Sequence, residues 1–181
     1  TRMNVAPKAL SLDLDDTLWP IWPVIQRAEA ALDAFLREHC PRTAERYPIE
    51  LMRDLRERIA ADHPQHAHDF TKQRKLSLAH ALRSSGDDEM HVEGAFSAFY
   101  SARNCIEFYP DALAALDRLA ARWPIAAVTN GNADLGRIGI ADRFTVELSE
   151  RSVGRLLNGR GYTRLKPRPQ HRKADPAAQE A

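Results

Sequence analysis

Residues 8–18 read Lys8-Ala-Leu-Ser-Leu-Asp-Leu-Asp-Asp-Thr-Leu18. Ala9, Leu10, Leu12 and Leu14 form a short apolar run that ends in carboxylates, the pattern of a buried strand of a parallel sheet. Ligands of an open α/β sheet sit outside the carboxyl ends of its strands, so this strand end is a place for chemistry. Side chains two residues apart share a side of an extended segment, which predicts that Asp13 and Asp15 point together into one cleft. Packed carboxylates repel unless a cation or basic group lies between them. Helix N-caps and solvated turns use the same residue type, so Asp-x-Asp alone is weak evidence. The setting narrows it: an apolar strand, then Asp-x-Asp-x-Thr, then the aromatic stretch Trp19-Pro-Ile-Trp-Pro23.

Downstream, helical periodicity takes over. Ile25, Ala28, Leu32, Phe35 and Leu36 recur at helical spacing from Val24 to His39, and Cys40-Pro41 stops the pattern. Met52, Leu55 and Ile59 mark a second helix from Pro48 to about Ala61. A third runs from near Asp69 through Leu78 and Leu82 to Ser84-Ser85-Gly86, a C-cap signal. A fourth follows Asp87-Asp88 and carries Val92, Ala95, Phe96 and Phe99, with Phe96, Phe99 and Tyr100 read as core. Four helices with short connections predict a small bundle. After Tyr109-Pro110 the order is a helix from Asp111, a strand Ile125-Ala-Ala-Val-Thr129, a short helix near Ala133–Ile138 and a strand around Phe144–Leu148. The fold class is therefore α/β, a Rossmann-like parallel sheet whose first crossover is interrupted by a helical insert.

The second strand opens straight into Asn130-Gly131-Asn132. A hydroxyl at a strand end followed by a polar residue and glycine offers Oγ and backbone N–H donors to a phosphate, although an ordinary strand-to-helix turn looks similar. The weaker signals have plain readings. His63, His66 and His68 read as a solvated loop rather than a metal site, because no fourth ligand is evident. Trp19 and Trp22 are expected to pack where insert meets core rather than to stack on a ligand, and Arg74 and Lys75 to lie on a solvated helix face rather than to face substrate.

Composition limits the function classes. The chain has 181 residues with 26 Lys or Arg against 25 Asp or Glu, so no global charge points to nucleic acid or an anionic membrane. No apolar run approaches the ~20 residues of a transmembrane helix, and Thr1–Lys8 has no apolar core of signal-peptide length. The two cysteines, Cys40 and Cys105, make neither a disulfide framework nor a CxxC site, and a cytoplasmic protein with free thiols is expected. From Arg151 onward the chain carries eight Lys or Arg and two acids, with few large apolar residues, and is expected to be irregular.

Leu12-Asp-Leu-Asp-Asp-Thr-Leu18 and Val128-Thr-Asn-Gly-Asn132 resemble the first two motifs of the haloacid-dehalogenase-like hydrolases, and the insert resembles their C1-type α-helical cap. Within that superfamily Thr17-Leu-Trp-Pro20, Pro23-Val-Ile25, His68-Asp-Phe-Thr-x-x-Arg74 and Trp123–Asn132 are similar to bacterial phosphatases of riboflavin biosynthesis. Those act on flavin mononucleotide and on the ribitylaminouracil phosphate precursor. The resemblance places an α/β core at 8–19 and 106–154, the cap at 20–105 and a basic tail at 155–181.

The resemblance implies a Mg²⁺-dependent phosphomonoesterase. Asp13 would be the nucleophile, and Asp15 the acid that protonates the leaving group and then the base that activates water. Mg²⁺ would be held by the Asp13 carboxylate and the Asp15 backbone carbonyl, with Thr129, the Asn130 N–H and a lysine on the phosphate. Lys166, in Lys166-Pro167, is the nearest match to that lysine, about ten residues displaced from family spacing. The family's later Gly-Asp-x-x-x-x-Asp-like metal loop has no counterpart, since only Asp175 and Glu180 follow Glu150. The shift to Arg/Pro/Gly-rich sequence after about Gly154 reads as a truncation or an altered reading frame. A phosphate-binding remnant with impaired turnover and a 2-haloacid dehalogenase are the alternatives. The expected partner is a small phosphorylated substrate, with neither membrane nor nucleic acid.

Overall fold

The computed structural model describes residues 7–66, 69–129 and 131–149. Three short strands, β1 (Leu10–Leu12), β2 (Ile125–Thr129) and β3 (Val146–Ser149), lie side by side in that order, all parallel. Leu10 pairs with Ile125 and Leu12 with Ala127, while Ala126 pairs with Val146 and Thr129 with Ser149. This register brings the carboxyl ends of β1 and β2 to the same edge, where ligands of such sheets bind.

Between β1 and β2 the chain leaves the sheet and builds five helices: α1 (Ile21–His39), α2 (Pro41–Arg46), α3 (Ile49–Asp62), α4 (Phe70–Ser85) and α5 (Val92–Arg103). Then α6 (Ala112–Ala120) precedes β2, and α7 (Leu135–Ile138) links β2 to β3. The local chemistry fits these boundaries. The Asp69 carboxylate accepts from the Lys72 N–H at 2.8 Å at the start of α4, and Gly86 ends that helix in the left-handed region at φ 79°. Pro41 ends α1 and opens α2 at once. Its missing N–H costs nothing at a first helical position, which is why a residue read as a stop also begins a helix.

Two separate apolar clusters hold the structure. One joins α1 through α5 around Leu32, Leu36, Leu78, Leu82 and Phe99. The other surrounds the sheet with Leu14, Trp19, Leu116, Ile125, Ala127 and Ile140. Within the insert, α1 packs chiefly on α5, and α4 on α3 and α5. Two buried polar contacts tie the insert together. Asp87 accepts from both the backbone N–H and the hydroxyl of fully buried Thr43, at 2.8 and 2.7 Å. Glu29, also buried, is held by the Arg53 guanidinium. Among the described residues no helix is long and apolar enough to cross a membrane.

Candidate active site

The turn after β1 gives its three aspartates different tasks. Asp16 sits in the left-handed region at φ 58°, a conformation Asp tolerates better than most side chains. Its N–H donates to the Trp19 carbonyl at 2.8 Å, and its Oδ1 accepts from the N–H of Ile21, the first residue of α1, at 2.9 Å. Asp16 thus satisfies the first N–H of α1 and is not available to a ligand through that oxygen. Asp13 is exposed directly after β1, and among the described residues its Oδ1 accepts from the adjacent Leu14 N–H, at 2.8 Å.

Asp15 is largely covered and held from two sides. The Trp19 indole N–H donates to its Oδ1 at 2.8 Å, and Nη2 of Arg103 lies 2.8 Å from both carboxylate oxygens. Arg103 is the last residue of α5 and is only 2 % exposed, so this pair joins insert to core. Trp19 is fully buried and meets Phe108 edge to face with ring centroids 5.7 Å apart. Trp19 therefore packs where insert meets core, as expected, whereas Trp22 does not: it is 55 % exposed, beneath the guanidinium of Arg53 from the insert itself.

Thr129 ends β2, buried, and its Oγ1 accepts from the Gly131 N–H at 2.9 Å. A Cβ at Gly131 would stand 2.7 Å from Asp15 Oδ2, 3.3 Å from Arg103 Nη2 and 3.3 Å from Thr129 Oγ1. Only glycine lets the two strand ends come this close. The structure thus brings Asp15 and Thr129 together across Gly131, with Asp13 one step beyond the Leu12–Ala127 pair at the same edge. Asn130 and Lys166 lie outside the described residues, as does His68.

Next to this junction a cavity of about 350 Å³ is lined by Asp15, Arg103 and Gly131 together with Arg56, Arg74 and Phe99 of the insert. Its charged lining is three guanidiniums against the carboxylates of Asp15 and Glu57, and one of those carboxylates is already paired with Arg103. That wall suits an anionic ligand. Arg74 corrects the sequence expectation. It does not lie on a solvated face but is 8 % exposed, its guanidinium carbon 3.5 Å from the Phe99 ring centroid. Burial, reinforced by the neighbouring Arg56 charge, pushes its pKa down to about 9. Lys75 pairs with Glu93 at 2.8 Å. Arg103 was not singled out in the sequence and Arg74 read as a surface charge, because both reach the cleft through the packing of the inserted helices.

Among the described residues no three His, Cys, Asp or Glu side chains cluster as a metal site. The second carboxylate oxygen of Asp13 has no hydrogen-bond partner among the described residues, and it is a hard oxygen donor of the kind that Mg²⁺ takes one or two of, with water filling the rest of its shell.

Comparison with known proteins agrees with this architecture. The chain is 34% identical over 151 residues to the 5-amino-6-(5-phospho-D-ribitylamino)uracil phosphatase YigB of Escherichia coli K12, an alignment covering 81% of this chain and 63% of that protein. A crystal structure of a 2-haloacid dehalogenase from Pseudomonas syringae pv. Tomato DC3000 superposes with a TM-score of 0.72 at 34% identity, over 78% of this chain and 63% of the other. The fold is shared by a haloacid dehalogenase-like hydrolase from Xanthomonas campestris, with a TM-score of 0.51 at 18% identity over 87% and 69% of the two chains. The Winged helix-turn helix family pattern matches residues 137–181. The described part of that stretch holds the end of α7, a 3₁₀ turn and β3 of the parallel sheet. By fold and sequence the chain is similar to haloacid-dehalogenase-like hydrolases, and it spans a little under two thirds of the length of the phosphatase and of the dehalogenase it matches.

Proposed function

We propose that the chain is a Mg²⁺-dependent phosphomonoesterase that works through an aspartyl-phosphate on a small phosphorylated metabolite in the cytoplasm. The observation that carries this reading is the convergence of Asp15 and Thr129 on Gly131 at the mouth of a cation-lined cavity. A phosphate seated there would meet a hydroxyl on one side and a carboxylate on the other.

The Asp13 carboxylate attacks phosphorus, a P–O bond forms to it, and the bond to the leaving oxygen breaks. Asp15 delivers a proton to that oxygen, and then takes one from the water that cleaves the acyl phosphate and regenerates Asp13. Trp19 and Arg103 fix the direction of the Asp15 carboxylate. Mg²⁺, when bound at Asp13, supplies positive charge that lets a carboxylate approach an anionic phosphate. Thr129 holds a transferring oxygen, together with the proposed contributions of the Asn130 N–H and Lys166. A planar, imide-bearing substrate such as flavin mononucleotide or the ribitylaminouracil phosphate fits the similarity to YigB and the cavity's mixed apolar and cationic lining.

A halide needs no proton to depart, whereas an alkoxide does, so the aimed carboxylate of Asp15 favours phosphoester cleavage over dehalogenation. The test is hydrolysis of p-nitrophenyl phosphate and of 2-chloropropionate by the full chain with and without Mg²⁺. Asp13- and Mg²⁺-dependent phosphate release is expected. Chloride release without phosphate release would reverse the assignment, and neither product would point to a remnant that only binds.

A further inference from the structure

Arg103 uses less of its guanidinium than its burial demands. An arginine carries five N–H donors in a planar fork and accepts no hydrogen bond. The side chain is almost wholly buried, and Nη2 alone serves Asp15, at 2.8 Å from each of its oxygens. Nη1 is buried too and has no hydrogen-bond partner among the described residues. The pairing that suits an arginine best sets two nitrogens against two oxygens. Here one nitrogen is shared between two acceptors while its neighbour has none, and the lost hydration of that buried donor goes uncompensated.

The backbone that carries this side chain is held by other means. Asn104, the next residue, donates to the Tyr100 carbonyl at 2.9 Å and accepts from the Asp134 N–H at 2.7 Å, which ties the end of α5 to the loop after β2. The guanidinium can therefore adjust toward a ligand while the insert stays attached. Arg103 lines the cavity together with Asp15 and Gly131, and a Cβ on Gly131 would stand 3.3 Å from Nη2. A group that acts on a substrate oxygen works within hydrogen-bond reach of it. Because Nη2 touches both oxygens of Asp15, a phosphoester oxygen within reach of Asp15 is also beside the guanidinium. Phosphate oxygens are acceptors that a guanidinium fork matches well.

We infer that Arg103 is a phosphate-binding residue of this cleft. The arriving phosphoester takes Nη1 as its donor and shares the guanidinium with Asp15, so that one arginine holds carboxylate and substrate in register. The inference rests on the phosphatase reading for the identity of the phosphoester; anion binding at Arg103 is tested without turnover.

The experiment measures binding of inorganic phosphate by calorimetry, with Mg²⁺ present. It compares the full chain with Arg103→Lys, in the wild-type and in the Asp15→Asn backgrounds. Lysine keeps the charge and one nitrogen for Asp15 but has no second nitrogen. Melting curves establish that the variants are folded. The expected result is that Arg103→Lys weakens phosphate by about tenfold or more in both backgrounds. Unchanged affinity in the wild-type background would overturn the inference, since positive charge alone would then suffice. A loss that vanishes once Asp15 is replaced would overturn it too, because Arg103 would then act only through Asp15. Should Arg103→Lys fail to fold, crystals of the wild-type chain grown with tungstate, a phosphate mimic, decide. An Arg103 nitrogen within hydrogen-bond distance of the anion supports the inference, and an Arg103 that contacts Asp15 alone overturns it. Failure of the wild-type chain to bind phosphate overturns the inference whatever the turnover. Arg103-dependent phosphate binding by a chain that hydrolyses no p-nitrophenyl phosphate upholds it and counts against the phosphatase reading instead.

Discussion

A single guanidinium nitrogen of Arg103, at the end of α5, lies 2.8 Å from both carboxylate oxygens of Asp15, in the turn after β1. Eighty-eight positions apart in the chain, the two residues form a contact that ties the helical insert to the carboxyl edge of the sheet. Arg103 is almost wholly buried, so removing either partner strands a charge. Arg103→Met and Asp15→Asn are each expected to cost about 2–3 kcal/mol, with a double-mutant coupling of about 1–3 kcal/mol in urea unfolding. Additive losses would show that the contact carries no energy.

Gly131 makes the second contact between the motifs. Because an added methyl would stand 2.7 Å from Asp15 Oδ2, Gly131→Ala must push Asp15 or its own loop aside. Its N–H bond to Thr129 Oγ1 would be strained by the same movement. Phosphatase turnover is expected to fall by roughly a hundredfold, since displacements of an ångström at a reacting group are that costly. The melting temperature should move by only a few degrees, as the loop is partly exposed. Unchanged kcat/KM would mean that Asp15 is not placed by this approach.

The role given to Asp15 makes a leaving-group prediction. Nitrophenolate departs without a proton, whereas an alkoxide needs one, so Asp15→Asn should lose about 10²–10⁴-fold on glycerol 3-phosphate and far less on p-nitrophenyl phosphate. Equal losses on the two substrates would make Asp15 a structural residue.

The sequence disclosed what is local. β2 was readable from Ile125 to Thr129 because a five-residue apolar run meets a turn signal, and Gly86 announced the end of α4 because only glycine sits comfortably at its φ. The ends of β1 and β2 were readable for the same reason, since Asp13 directly follows one apolar run and Thr129 closes the other. α2 was missed, as its six residues lie between two prolines that looked like breaks. Arg74 and Arg103 were illegible for a different reason. Charge on a helix reads as surface unless one knows what packs over it, and their covering neighbours, Phe99 and Asp15, come from other segments of the chain. The division of labour among Asp13, Asp15 and Asp16 also needed coordinates, because capping and catalysis draw on the same side chain.

The two thiols should respond differently to alkylation. Cys40 is fully buried, and burial together with the nearby Asp87 charge raises its pKa above the ordinary thiol value, while Cys105 is exposed. Iodoacetamide at neutral pH should therefore label one site, Cys105, in the folded chain and both sites in denaturant. The raised value also carries a sign. The unfolded thiol ionises first, so this contribution to stability is present below the ordinary thiol pKa and is lost as pH climbs through the folded one. Cys40→Ser should flatten that part of the alkaline stability profile. Equal labelling of both thiols in the native state would contradict the packing around α1 and α2.

The central claim, that Asp13 stands ready to accept a phosphoryl group at this strand end, is tested most directly by fluorine NMR with beryllium fluoride and Mg²⁺. Beryllofluoride bound to a carboxylate stands in for the acyl phosphate. The full chain and Asp15→Asn should each give a bound resonance that disappears on chelating Mg²⁺ and is absent in Asp13→Asn. A bound resonance that survives in Asp13→Asn, or none in the wild-type chain at saturating Mg²⁺, would contradict the account.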